Sequence, residues 1–579
     1  MKKLMGYLSL LVFTTGVHAQ SFLRQTPKAT AWVDSVYSSL TPDQRITQLM
    51  VIRESGIKDG QPDIYTEKVS ALVKKYNIGA ICLFQGAPND QALVLRRLQQ
   101  EAQTPLLVTI DAETGLGMRM TGVEKFPDQL TLGAMRHSKA LVYQIGSAMA
   151  EQCHRMGIQV NYAPVVDINN NPDNPVIGFR SFGQNKRTVT AYGTAIMKGL
   201  QDNGIMACAK HFPGHGDVSV DSHLDLPVIE KSLAELDTLE LVPFKKIFKA
   251  GIGSVMIAHL SIPEIDSTPH LASSLSPKFV TDILRKKLGF KGLSFTDALE
   301  MKGVAKYYPQ GEVAAMSLIA GNDMLCLPGD IPVSLEKINA ALKDGRLTWP
   351  DLEKRVKKVL YAKYNLGLRG GKTGQFAIDT AHLERDLNRQ VHTLNIAAAI
   401  QALTAVRLAS GKFEPIGRQQ KVAYLQIGGN ASDLLGKKLK EDIGAKGFYF
   451  GHSDNAQMAE DILNDIKGGK FDRIVMILED YSKRPADNFM ISSKAIKLLS
   501  DLQYNDQKAM LVLMGNPYAI KNFTQFKNLI TTYQDGPAFQ EAAFNFLTGK
   551  SGASGSLPVT VAPDLPFGTG LIVKRSRSK

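Results

Sequence analysis

Between residues 48 and 327 the chain alternates short, continuously apolar runs with longer amphipathic stretches. Eight runs read as strands: 48–53 (QLMVIR), 79–84 (GAICLF), 106–111 (LLVTID), 159–164 (QVNYAP), 205–211 (IMACAKH), 254–259 (SVMIAH), 292–297 (GLSFTD) and 322–327 (NDMLCL). Between them lie segments with helical spacing, such as DQALVLRRLQQEAQ, TVTAYGTAIMKGLQDNG and SPKFVTDILRKKLG. Strands apolar on both faces and separated by helices predict a parallel sheet covered on both sides. Eight such units predict a (β/α)8 TIM-type barrel, placed here at 25–370. Asp111, His211, His259 and Asp297 all fall at the carboxyl ends of these runs. That end of a barrel is where catalytic side chains gather.

A glycine cluster, NLGLRGGKTGQ (365–375), ends the pattern, and 371–407 reads as a linker with a helical connection. A second α/β pattern follows over 408–579, with strands at 421–428, 446–452, 472–480, 508–516 and 528–535. Five strands with helices between them predict a smaller three-layer αβα sandwich. IGGNA after its first strand lacks the spacing of a phosphate-binding loop. The turn-rich tail SGASGSLPVTVAPDLPFGTG is expected to wrap the domain edge.

The amino terminus changes where the protein is expected to act. Lys2 and Lys3 precede a short apolar stretch, and Val17 and Ala19 are small residues before a cleavage point. This is the layout of a secretory signal peptide over 1–19. The expectation is export to the periplasm or beyond, with no later segment apolar enough to span a membrane. Net charge is +13, or +11 without the two leader lysines, and the basic residues are dispersed. An exported basic surface suits an anionic partner such as cell-wall material. No basic-aromatic interleaving points to nucleic acid. Cys82, Cys153, Cys208 and Cys326 each sit in apolar surroundings with no paired spacing, so they read as buried small side chains.

The densest chemistry lies in KHFPGHGDVSVDSH, residues 210–223. Pro213, Gly214 and Gly216 forbid a helix here, so His211 and His215 are not a metal pair one helical turn apart. Neither a metal nor a cofactor is expected. Asp221 and His223 stand two apart in an extended loop and can face one side. The carboxylate can then orient the imidazole for proton transfer. Ser222 between them lacks a nucleophile-elbow context. Asp297, in GLSFTDALEM, reads as a nucleophile, a general base or a helix N-cap. Asp111, Glu113 and Arg119, in TIDAETGLGMR, suit recognition of sugar hydroxyls, and Arg180 lies in a turn-rich loop.

Taken together, KHFPGHGDVSVDSH, FTDALEM, DAETGLGMR and IGFRSFG resemble glycoside hydrolase family 3, in particular its bacterial β-N-acetylglucosaminidases. AGNDMLCLP and KKVLYAKYNLGL are similar to late barrel elements of that family, and the second domain resembles one that some members carry. The resemblance implies a retaining mechanism. In it Asp297 is the nucleophile, His223 the acid/base and Asp221 its dyad partner. It further implies that Asp111, Arg119, Arg180, Lys210, His211 and His259 bind the sugar, and that His215 shapes the loop. Thr114 departs from the Trp or Gly that related sequences carry there. A substrate containing N-acetylglucosamine, of muropeptide type, follows from family, export and charge together. Three other readings remain at this level. They are phosphorolysis at the same site, a β-glucosidase drawing its acid from Glu479 or Asp480, and a non-catalytic cell-wall binding protein.

Overall fold

The computed structural model describes residues 22–222, 224–369, 378–409, 411, 413–429, 433–503 and 508–576. The expected leader over 1–19, His223 and most of the glycine cluster lie outside the described residues. All eight expected barrel strands form, as Met50–Arg53, Ala80–Leu83, Leu107–Ile110, Val160–Asn161, Met206–Phe212, Ser254–Ile257, Leu293–Thr296 and Leu325–Cys326. They pair in chain order, all in parallel, and the last returns to the first through Met50 with Leu325 and Val51 with Cys326. A single bridge, Phe295 with Met324, joins the seventh strand to the eighth. The architecture is therefore a TIM-type barrel followed by a separate α/β unit.

Side-chain caps start the surrounding helices where the chain changes period. Thr41 and Gln44 form a capping box before Pro42–Thr47, and Ser232 with Glu235 does the same before Leu233–Thr238. Asn185 accepts hydrogen bonds from the Arg187 and Thr188 N–H groups to start Lys186–Asp202. That helix buries Val189, Tyr192, Ile196, Met197 and Leu200 on one face.

Two elements depart from the sequence expectation. A hairpin, Ser55–Lys58 with Gln61–Ile64, follows the first barrel strand. Asp59 and Gly60 connect it with φ of 50° and 77°, the two left-handed positions of a tight hairpin turn. The helical reading through 407 also runs too far. The helix Val391–Ala402 ends one residue before the strand Thr404–Arg407, which pairs antiparallel with Leu529–Thr531 at the sheet edge. The run IAAAIQALTAV is apolar on both sides of the boundary except for Gln401 and Thr404, so its hydrophobic period does not mark the change.

The second sheet runs Thr404–Arg407, Leu529–Thr531, Ala509–Leu513, Arg473–Leu478, Val422–Ile427, Lys446–Phe450. Its last five strands are parallel. Alternate residues divide its two faces. Leu425, Ile427, Met476 and Leu478 join the apolar cluster that continues into the barrel. Tyr424, Val475, Ile477 and Val512 form a separate cluster beneath the outer helices. That division is what a sheet with helices on both sides requires. In the tail, Leu571 bridges Ala405 on the edge strand. The two domains meet beside the third and fourth barrel strands. There Gln534 accepts from the Asp128 N–H and the Thr131 hydroxyl, both at 2.9 Å, and Lys483 pairs with Asp128 at 2.5 Å.

Just past the first barrel strand Glu54 is fully buried. Burial pushes its carboxyl up to about 7, and Ser55 beside it offsets only part. The folded chain therefore keeps a proton that the unfolded chain releases above its ordinary carboxyl range. Stability falls as pH rises through that interval and levels off above about 7. We expect Glu54→Gln to stabilise the protein at pH 8 by up to about 3 kcal/mol and to change little at pH 4. Thermal melts at the two pH values check this; an equal change at both would show that the proton is not the cause.

Candidate active site

The carboxyl ends of the barrel strands open into a cleft of about 610 Å³. Asp297 ends the seventh strand on its floor. The Asp297 N–H donates to the Ile257 carbonyl at 2.8 Å, and one carboxylate oxygen accepts from the Ala298 N–H at 2.8 Å. The next helix starts at Lys302 behind Met301, so Asp297 is not its N-cap. Burial alone would raise the Asp297 carboxyl. His259, His211, the Ala298 N–H and Lys210 outweigh it and hold the pKa at about 2. Asp297 is thus an anion throughout the neutral range.

Beside it stands a charged network. Lys210 donates to Asp111 at 2.5 Å and to Glu113 at 2.7 Å. Arg119 donates to the Asp111 carboxylate at 2.8 Å and, through Nε, to the Asp111 carbonyl at 2.9 Å. Arg180 clamps Glu113 with two bonds, of 2.6 and 2.9 Å. Burial opposes the charges of Asp111, Glu113, Lys210 and Arg180. Lys210 and Arg119 still hold Asp111 below its usual range, and Arg180 and Lys210 do the same for Glu113. Asp111 and Glu113 in turn keep Lys210 above its own usual value. All five groups stay ionised, and their donors and acceptors are fixed before any ligand arrives. A carboxylate has about four acceptor positions, so Asp111 keeps capacity for ligand hydroxyls.

Lys210 and His211 are neighbours in one strand, yet both line the cleft. The pairing of the fifth strand with the sixth slips between Ala209 and Phe212, which breaks the usual alternation. His211 Nδ1 lies 2.7 Å from Asp167, and Arg180 donates to its Nε2 at 3.3 Å. A guanidinium only donates, so Nε2 accepts and the ring proton sits on Nδ1, donated to Asp167. Asp167 also takes the backbone N–H of His211 and of His215. These donors keep Asp167 below its usual range despite full burial. Asp167 was not singled out in the sequence. Its signal is the acidic residue three positions after the fourth run, in APVVD.

The loop after the fifth strand carries Asp221 into the cleft wall. Gly214 has φ of 134°, and a Cβ at Gly216 would lie 1.7 Å from the Ile168 carbonyl oxygen. Only glycine fits at either position. Asn171 donates to the Val218 carbonyl and Asn174 to the His215 carbonyl, both at 3.0 Å. His215 Nε2 lies 3.3 Å from the Ser222 hydroxyl. Burial, with His211 second, pushes the His215 pKa down to about 4, so the ring is neutral and supports the loop.

One expected contact is corrected. His259 is fully buried, with Nδ1 at 2.7 Å from the Ser274 hydroxyl and Nε2 at 3.0 Å from the Ala298 carbonyl. It lies under the floor, where it favours the Asp297 anion, and it does not line the cleft. Asp111, Arg119, Arg180, Lys210, His211, Asp221, Asp297 and Thr114 all do. Cys82 and Cys326 line it too, and all four cysteines are buried and unpaired. The second domain adds two side chains that the sequence did not single out, Lys483 and Arg484.

Residues 41–362 match the family model described as glycosyl hydrolase family 3 N terminal domain. A protein named beta-hexosaminidase A, from Pseudoalteromonas piscicida, is 26% identical over 85% of this chain and 91% of its own. A Neisseria meningitidis protein named beta-hexosaminidase is 35% identical over 43% of this chain and 70% of its own. A solved glycoside hydrolase family 3 beta-N-acetylglucosaminidase from a Paenibacillus superposes with a TM-score of 0.73 at 27% identity, covering 90% of this chain and 99% of that one.

Proposed function

The chain belongs to glycosyl hydrolase family 3 and is a glycoside hydrolase, and from that premise we propose that it removes terminal β-linked N-acetylglucosamine from exported peptidoglycan fragments with retention of configuration. The observation that carries this reading is the pairing of an ionised Asp297 with a preorganised sugar-binding network on one side and the Asp221 loop on the other. In the first step Asp297 attacks the anomeric carbon. The glycosidic C–O bond breaks, and the leaving oxygen takes a proton from His223. In the second, water gives a proton back to His223 and its oxygen displaces the Asp297 carboxylate. Asp221 holds the imidazole in register. Asp111, Arg119, Lys210 and Arg180 fix the hydroxyls of the terminal sugar, so the enzyme works from chain ends. Two displacements at one carbon return the original anomer.

A β-glucosidase acid from the second domain has less support. Glu479 has a carboxyl raised to about 7 by burial, a suitable value, but it is 3% exposed and bonded to Gln426 at 2.5 Å. Among the described residues, the side chains this domain adds to the cleft are cations.

The test is product analysis on GlcNAc-MurNAc and on nitrophenyl N-acetyl-β-glucosaminide and β-glucoside, with and without inorganic phosphate. The expected result is free N-acetylglucosamine, released first as the β-anomer, as the product both with phosphate and without it. A glycosyl phosphate product would assign phosphorolysis instead. Preference for the glucoside would overturn the substrate assignment.

A further inference from the structure

Three features of the second domain converge on the outer end of the cleft. First, five of the seven Lys and Arg side chains that line it are held in ion pairs with its own carboxylates. Among the described residues Lys125 and Arg484 are not. Arg484 is exposed and comes from the second domain, while the sugar-binding network belongs to the barrel strand ends. Arg484 therefore belongs to the exposed rim of the cleft and not to the network that Asp111 forms with the buried Glu113 and Lys210.

Second, the loop that carries Arg484 follows the strand Arg473–Leu478. In the sheet that strand lies beside Val422–Ile427, where strand order reverses. Crevices outside the carboxyl ends of parallel strands, at such a reversal, are where open α/β sheets take ligands. Here that edge of the second sheet is turned to the barrel.

Third, the loop is held in an unfavourable shape. Asp480 and the four consecutive residues Asp487–Met490 have φ between 49° and 62°, and none is glycine. Each such residue is disfavoured by about 1–2 kcal/mol, so the run persists only because its surroundings fix it. The Ser482 N–H donates to the Phe489 carbonyl at 2.8 Å. Asn516 donates to the Lys483 carbonyl at 2.7 Å. The Arg484 N–H donates to the Ser482 hydroxyl at 3.0 Å. Lys483 spends its charge on Asp128 and lies over the Phe179 ring. Arg484 next to it lines the cleft on a backbone held by these bonds.

We propose that Arg484 binds an oxyanion on the leaving-group side of the cleft, either a carboxylate carried by the released sugar or inorganic phosphate in its place. A guanidinium accommodates both because each presents two coplanar oxygens to its fork. This assignment rests on the substrate class proposed above. It makes the second domain part of the specificity of a reaction whose chemistry belongs to the barrel.

The experiment compares GlcNAc-MurNAc bearing its free lactyl carboxylate with the same disaccharide as the neutral lactyl amide, in phosphate-free buffer. The readout is the ratio of kcat/KM for acid over amide in the wild type, Arg484→Ala and Arg484→Glu. A charge-assisted contact predicts a wild-type ratio of about 10, a ratio near 1 in the alanine variant and a ratio below 1 in the glutamate variant. A parallel phosphate titration separates the two sources. If phosphate is the ligand, it raises the wild-type rate and loses that effect in both variants, while the acid-to-amide ratio stays near 1. The proposal is overturned if neither the ratio nor the phosphate response differs between wild type and variants. Wild-type turnover of nitrophenyl N-acetyl-β-glucosaminide, measured alongside, isolates the underlying reading. Its absence sinks the glucosaminidase assignment, whereas its presence with unaltered ratios sinks only the role of Arg484.

Discussion

Asp297→Ala is expected to fold normally and to lose at least about 10³-fold in kcat/KM on every β-N-acetylglucosaminide, whatever the leaving group. The side chain stands on the cleft floor and packs no core, so its removal leaves little cavity. Its loss also takes away the anion that His259, His211 and Lys210 face. The circular dichroism spectrum and melting midpoint should stay close to wild type while turnover of nitrophenyl N-acetyl-β-glucosaminide disappears. A nucleophile is needed equally for good and poor leaving groups, and that uniformity is the diagnostic part. Activity within about tenfold of wild type in a folded variant would remove Asp297 from the role, since loss of a covalent nucleophile costs far more.

Changing the dyad should give the opposite signature. Asp221→Asn and His223→Ala are expected to lower kcat/KM for disaccharides, whose leaving oxygen needs a proton, by about 10² to 10⁴. A nitrophenolate leaves without one, so the glycosylation step for that substrate should fall by less than about tenfold. In the wild type, disaccharide cleavage should weaken on the alkaline side as the imidazole loses its proton. The proposed dyad predicts that Asp221→Asn moves that limb to lower pH, since an anion beside a ring would favour the protonated form. The acid limb should not come from Asp297, which is ionised above about 2. Steady-state profiles on both substrate types check this. Equal losses on both would place the dyad in folding or binding rather than proton transfer.

The sequence carried the barrel because each strand is a short apolar run buried on both faces, and strand ends are marked by a change to charged residues. Asp111, His211 and Asp297 were legible for that reason, although they are distant in the chain, while Asp221 was read from its spacing to His223 and Lys210 only from the family resemblance. Glu113 stood in the same motif, but its work, orienting Lys210 and Arg180 together, depends on a contact 67 residues away. Asp167 escaped notice because an acid in a loop of asparagines looks like a turn. It becomes informative only when three donors converge on it. His259 misled in the other direction. A histidine at a strand end looks like a pocket residue, and only its burial between Ser274 and Ala298 shows that it lies beneath the floor. Lys483 and Arg484 were out of reach, since nothing local says that a loop of the second sheet rests on the third and fourth strands of the first.

The carboxyl edges of both sheets turn toward one crevice. From the second sheet, Lys483 and Arg484 follow one strand, Asn516 another and Gln534 a third. Loops can lengthen or exchange residues at such an edge without disturbing either apolar interior. On the role proposed for Arg484, lineages carrying this two-domain plan could retune what the enzyme releases by drift in the second domain while the glycosidic chemistry stays under separate selection in the first. The plan makes aglycone choice and bond cleavage heritable as two nearly independent traits.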